Sequence, residues 1–137
     1  MLQGAIIGGV IGLIYGLLFM WRAKQAKGDR YLTEMPKRVI SFTAPQTPDA
    51  VLAAVANGVS GLPATLEAKS ASRVVLTDKA TLSSFGFFYP IQATPAPGGG
   101  STVEIGIASR GNQWGPLVTK AHNIFVDAAK KTLGVTA

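Results

Sequence analysis

The chain has 137 residues, a net charge of +6 and a positive mean hydropathy of +0.30, which is unusual for a soluble protein. Its length allows one domain, with or without an appendage. It has no cysteine, which excludes disulfide bonds, thiolate metal sites and thiol nucleophiles.

The first 21 residues form the most apolar segment of the chain. No charged residue occurs between positions 4 and 21. A helix of about eighteen to twenty residues is about 27–30 Å long, which matches the hydrocarbon core of a bilayer. A signal peptide has basic residues before its apolar run and a small-residue cleavage site after it, and this segment has neither. The sequence therefore predicts a transmembrane helix over residues 1–21.

One face of this predicted helix consists of glycine. Gly4, Gly8, Gly12 and Gly16 recur at every fourth position and so share one face. Helices in lipid associate through close backbone approach at small residues. The pattern predicts helix–helix packing, either with a second copy of the chain or with another integral-membrane protein.

Residues 22–37 are predicted to form a basic juxtamembrane linker. Positions 22–38 contain six basic and two acidic residues, a net +4. Because cytoplasmic flanks of membrane helices are enriched in Lys and Arg, we expect the N-terminus outside the cell membrane and the C-terminal domain in the cytoplasm. Trp21, Arg22, Lys24 and Lys27 are the expected contacts with the membrane surface and its anionic headgroups. The nearly balanced remainder of the chain argues against nucleic-acid binding.

Residues 38–137 are predicted to form a cytoplasmic α+β domain, an antiparallel sheet with helices on one face. The order is β-α-β-β-β-β-α, with a strand at 39–44, a helix from Pro48 with Thr47 as its N-cap, strands at 65–69, 73–77, 85–94 and 102–109, and a helix at 116–133. The segments 65–69 and 73–77 form either one bent strand or a hairpin. The last helix carries an apolar stripe of Leu117, Val118, Ala121, Ile124, Phe125, Ala128 and Leu133.

The domain resembles helix-grip (START-like) domains over residues 38–134. The resemblance rests on the opening strand Val-Ile-Ser-Phe-Thr-Ala-Pro at 39–45, the helix that follows it, the strands at 85–109 and the long closing helix. It implies a sheet curled around the last helix, in some members around an apolar ligand. In size, layout and Ala/Gly-rich composition, the whole chain is similar to small single-pass accessory subunits of actinobacterial membrane complexes, including respiratory supercomplexes.

Few residues of the sequence suggest a catalytic, metal-binding or phosphate-binding site. His122, the only histidine, lies beside the apolar stripe without further metal ligands or an orienting acid, so a capping or surface role is expected. Gly98, Gly99 and Gly100 follow prolines and precede a strand, which predicts a hairpin turn and not a phosphate-binding loop. No metal site and no cofactor are expected.

The aromatic residues are the candidates for partner contact. Trp114, with Gln113 beside it, lies in a polar loop and is either an interaction hot spot or a staple onto the core. Phe87, Phe88 and Tyr89 make both faces of their strand apolar, so one face is expected to be core and the other covered by a partner or by membrane.

The leading functional hypothesis is a non-enzymatic accessory or assembly subunit of a larger integral-membrane complex, with a respiratory complex as one possibility. The alternative is a membrane-tethered helix-grip domain that binds a lipid or another apolar ligand. A cavity lined by Phe42, Phe87, Ile105 and Phe125 would support the alternative, and a packed core would contradict it.

Overall fold

A six-stranded antiparallel sheet carrying two helices makes up residues 28–78, 86–109 and 115–135, the parts of the chain that the computed structural model describes. After a 3₁₀ helix at Asp29–Leu32, the elements are β1 (Val39–Ala44), α1 (Pro48–Ala56), β2 (Thr65–Lys69), β3 (Arg73–Thr77), β4 (Phe87–Pro95), β5 (Ser101–Gly106), β6 (Ala108–Ser109) and α2 (Pro116–Thr132). The predicted sheet with two helices is therefore present.

The strands follow the order β1-β5-β4-β3-β2, so that β1 and β2 form the two edges. β2 and β3 pair antiparallel, which selects the hairpin over a single bent strand. β5 and β6 pair with β4 in one continuous register, with Ile91 opposite Ile105 and Phe88 opposite Ala108. The single strand predicted at 102–109 is thus two consecutive strands, β5 and β6, separated by Ile107.

Local signals fix where the two helices begin and end. The Thr47 hydroxyl accepts a hydrogen bond from the Ala50 amide (3.3 Å), and Pro48 occupies the first helical position of α1. α2 also begins at a proline, and it ends at Thr132, followed by the C-cap Leu133 and by Gly134, whose φ is +69°. A residue in this left-handed conformation terminates a helix, and glycine adopts it without strain.

The main core lies between the sheet and the two helices. Val51 and Val55 of α1 and Phe125 of α2 are fully buried against Val103 and Ile105 of β5 and the inward residues of β3 and β4. Each such side chain contributes about 1.5–3 kcal/mol when it is removed from water. The four residues named above as possible cavity lining belong to this one cluster or pack against it, so this part of the interior is filled.

A second, smaller cluster covers the opposite face of the sheet. Tyr31 of the 3₁₀ helix packs on Phe88 with ring centroids 5.7 Å apart, and Val75 completes the cluster. The Gly28 amide donates to a carboxylate oxygen of Glu67 (3.2 Å). Gly28 and Tyr31, which lie in the segment predicted as a linker, therefore contact the domain. The second face of β4, which was expected to need a partner or membrane, is covered here by the chain's own 3₁₀ helix.

The predicted fold class needs one correction, because it combined the α+β domain with a membrane-spanning helix. Within residues 28–78, 86–109 and 115–135, no helix has the length and apolar character needed to cross a bilayer. The longest, α2, has 17 residues and carries lysines in its last turn. The predicted span at 1–21, with Gly4, Gly8, Gly12 and Gly16, lies outside the described residues, as do Trp21, Arg22, Lys24 and Lys27.

Candidate functional site

A cleft of about 180 Å³ lies between α2 and the segment that leads into β2. Its walls are mostly apolar, and they come from Leu62, Pro63, Ala64, Asp78, Tyr89, Ala121, Ile124 and Phe125. The floor is the Tyr89 ring stacked on the Phe125 ring, with centroids 3.9 Å apart and planes 3° apart. The cleft is therefore an apolar recess with one polar end.

That polar end is a carboxylate–phenol pair. The hydroxyl of Tyr89 donates to Oδ2 of Asp78 (3.3 Å), and Oδ1 of Asp78 accepts from the Phe87 amide (2.6 Å). β3 and β4 create this pairing, because their register sets Leu76 opposite Tyr89 and so places Asp78, two residues on, beside the start of β4. The carboxylate is half-buried and oriented by backbone.

The phenol of Tyr89 remains neutral at physiological pH. Burial raises the pKa of Tyr89 well above its ordinary value, and the charge of Asp78 and the hydrogen bond to it act in the same direction. A phenol in this state donates a hydrogen bond but does not act as a base or nucleophile. The pair is therefore a neutral phenol that donates a hydrogen bond to a carboxylate.

Two large apolar side chains of α2 are exposed, and one of them lines the cleft. Leu117 is 46% exposed, and Ile124, at the cleft, is 45% exposed. Both were placed on the core stripe of the predicted helix, and the structure corrects this. The sheet contacts the face that carries His122, Phe125 and Ala129, and two apolar residues remain outside that face. Ile124 also borders a shallow depression on the other side of α2 with Lys120 and Asp127.

His122 is buried, contrary to the expected capping or surface role. Its Nε2 lies 2.8 Å from the carbonyl oxygen of Ile105, and this atom must be the donor because a carbonyl only accepts. Nδ1 is also buried and has no hydrogen-bond partner in the described part of the chain. His122 therefore holds α2 against β5 as a neutral imidazole.

We expect the stability of the domain to fall as the pH drops below about 6.5. Burial lowers the pKa of His122 below its ordinary value; the hydrogen bond to Ile105 opposes this shift, and the charge of Arg38 adds to it. As the pH falls below 6.5, His122 is protonated in the unfolded chain but stays neutral in the folded one. The free energy of unfolding therefore decreases between pH 6.5 and the pKa of His122 in the folded state. The expected slope approaches 1.4 kcal/mol per pH unit. Urea unfolding between pH 5 and 8 measures it.

The control for this titration is His122→Gln, whose amide nitrogen can still donate to Ile105. Because the chain has one histidine, this variant should lose the pH-dependent slope above pH 5 while remaining folded. An unchanged slope in the variant would assign the effect to other groups.

Of the residues predicted for partner contact, some lie in the described structure and others lie outside it. Phe87, Phe88 and Tyr89 are only 2–3% exposed, and Tyr89 reaches the floor of the cleft. Their contact with a partner stays a prediction. Trp114 and Gln113 lie outside the described residues. Sequence reasoning missed the cleft itself, and its only sequence signal was an acidic residue directly after β3.

The described residues do not assemble a metal site, since no three His, Cys, Asp or Glu side chains among residues 28–78, 86–109 and 115–135 converge. Glu67 bonds to Gly28, Asp78 lies in the cleft, and Glu104 stands on β5.

Comparison with known proteins found no match: no family model fits the chain, and no curated protein or solved structure is significantly similar to it. The resemblance to helix-grip domains therefore stays a prediction.

Proposed function

We propose that the chain is a non-catalytic accessory subunit of a larger protein complex, and that it engages its partner through the cleft beside Ile124. The observation that carries this proposal is the pairing of an apolar recess with an exposed apolar rim. Anchor side chains that enter such recesses supply most of the binding energy of protein interfaces.

The volume of the cleft favours a side chain over a small-molecule ligand. Ligand sites occupy about 300–1,000 Å³, whereas this cleft measures about 180 Å³. That space equals about six water molecules at their share of liquid volume. It suits one large apolar side chain better than the acyl chain of a membrane lipid. The filled interior around Phe125 points the same way, against the ligand-binding alternative.

The chemistry of the cleft supports a binding role. Among the described residues that line the cleft, Asp78 and Tyr89 are the titratable ones, and His122 is directed at the Ile105 carbonyl. We therefore commit to a protein partner that inserts an apolar residue into the cleft.

The location of the complex at a membrane is part of the same proposal and rests on the sequence. The described members of the basic segment, Arg30, Lys37 and Arg38, are all exposed. Each such residue contributes about 1 kcal/mol near anionic lipids. A respiratory complex remains the proposed type, on the strength of the resemblance in size and layout alone.

The test is co-purification of the tagged full-length chain after mild detergent extraction, with Ile124→Glu as the disrupting variant. Burying an exposed isoleucine is worth about 1.5–3 kcal/mol, and each 1.4 kcal/mol is tenfold in affinity. A glutamate there would also add a second carboxylate to the cleft that Asp78 lines. We expect the stoichiometric partner seen with wild type to fall at least tenfold.

The matched control is Ala53→Glu, which adds the same side chain at an exposed position of α1 outside the cleft. It should co-purify the partner like wild type. A wild-type chain that runs alone on a native gel, or equal recovery of partner with Ile124→Glu, would refute the proposal. Lipid recovered with a lone chain would support the ligand-binding alternative instead.

A further inference from the structure

β1 is an edge strand of the sheet formed by the described residues. It is six residues long and pairs there with β5 alone, in an unbroken register from Val39 opposite Gly106 to Ala44 opposite Ser101. An edge of this kind presents backbone donors and acceptors to any added strand.

The hydrogen-bonding pattern shows which residues point outward. The carbonyl of Arg38 accepts from the Ile107 amide (3.3 Å), which fixes the hydrogen-bonded positions of this ladder. Because such positions alternate in antiparallel pairs, Ile40 and Phe42 bond to β5 while Val39, Ser41 and Thr43 direct their backbone groups away. No hydrogen bond to those outward groups is present within residues 28–78, 86–109 and 115–135.

β2, at the opposite edge of the sheet, has features that protect it against pairing with a further strand, and β1 lacks them. β2 has a bulge between Leu66 and Ala68 and carries two exposed charges, Glu67 and Lys69. Bulges and charges of this kind block edge-to-edge pairing in natural sheets. The strand β1 has no charge, no proline and no bulge. These differences favour β1 over β2 as the edge to which a further strand can pair.

The charges around β1 indicate what kind of strand would pair with it. Lys37 and Arg38, both exposed, precede the strand, and Arg38 bonds to Thr119 of α2 (2.9 Å). Lys130 Nζ lies 5.5 Å from the centroid of the Phe42 ring. A second copy paired through β1 would bring these cations toward their equivalents, whereas an acidic segment would neutralise them.

We propose that β1 binds an extended acidic segment of a partner protein as an added antiparallel strand. Apolar residues of that segment lie beside Ile40 and Phe42 on the helix face of the sheet, and acidic residues at its two ends reach Arg38 and Lys130. Backbone hydrogen bonds supply the affinity, and the side chains supply the specificity.

The probe is the peptide Glu-Thr-Val-Thr-Val-Thr-Glu, fluorescently labelled and titrated with the full-length chain by fluorescence anisotropy. Paired antiparallel, it sets one glutamate opposite Arg38, the valines opposite Ile40 and Phe42, and the other glutamate near Lys130. We expect a Kd below about 1 mM. The peptide with both glutamates replaced by lysine should bind at least tenfold more weakly.

The blocking variant is Ser41→Pro, with Ser41→Ala as its control. Proline removes the outward amide of residue 41, spares the bonds to β5 and is tolerated on edge strands. Ser41→Ala should bind the peptide within twofold of wild type, and Ser41→Pro at least tenfold more weakly. Should Ser41→Pro fail to fold by circular dichroism, wild type is titrated with the peptide N-methylated at its threonines, which removes the amides that face β1.

Three results would overturn the proposal. The first is that the glutamate peptide shows no saturable binding to wild type. The second is that Ser41→Pro binds it as tightly as Ser41→Ala, or that the N-methylated peptide binds as tightly as the unmethylated one. The third is that the lysine peptide binds wild type as tightly as the glutamate peptide. A chain that forms a dimer sensitive to Ser41→Pro and ignores the peptide would assign the edge to a second copy instead.

Discussion

Phe125→Ala should lower the free energy of unfolding by about 3–5 kcal/mol, the largest effect expected of a single truncation in this domain. Phe125 is fully buried, and its ring stacks on Tyr89 at 3.9 Å between centroids. Removing the ring leaves a cavity at the contact between α2 and β4. Since small domains are stable by about 5–15 kcal/mol, the loss is a large share of the total.

The neighbouring residue provides the control for this prediction. Ile124 is 45% exposed, so Ile124→Ala should cost less than about 1 kcal/mol although it removes a side chain of similar character. Urea unfolding of the two full-length variants, followed by far-UV circular dichroism at pH 7.5, gives both values. Equal losses would mean that α2 presents a different face to the sheet.

Gly100→Ala is expected to have the second-largest effect, because it combines backbone strain with a steric overlap. Gly100 has φ +73°, and a Cβ there would overlap the carbonyl oxygen of Ala44. A non-glycine residue in this conformation costs about 1–3 kcal/mol, and the overlap with rigid backbone adds to it. Thermal unfolding should therefore occur at a clearly lower temperature.

Gly98→Ala separates the two contributions. Gly98 has a similar φ of +86°, but an added Cβ would meet nothing within 4 Å. This variant should show the strain alone, offset in part by the reduced freedom of the unfolded chain. If Gly98→Ala and Gly100→Ala lower the unfolding temperature equally, the close approach of the β4–β5 turn to Ala44 has no energetic role.

The local elements of the domain follow from neighbouring residues in the sequence. The bounds of β1, β2 and β3 follow from apolar alternation between turn residues, and the helices begin where Pro48 and Pro116 stand. The glycines at 98–100 predicted the turn between two paired strands, as found. These features depend on φ preferences and capping of single residues, so neighbouring sequence suffices to specify them.

Which faces these elements bury is visible in the three-dimensional packing and not in the sequence pattern. Apolar residues of α2 extend beyond one stripe, so periodicity did not show that His122 faces β5 while Leu117 and Ile124 face out. Tyr31 covers Phe88, although the two residues lie far apart in the chain. The cleft exists because the β3–β4 register brings Asp78 to Tyr89 beneath α2. Such contacts depend on the positions of several elements at once, which no local pattern encodes.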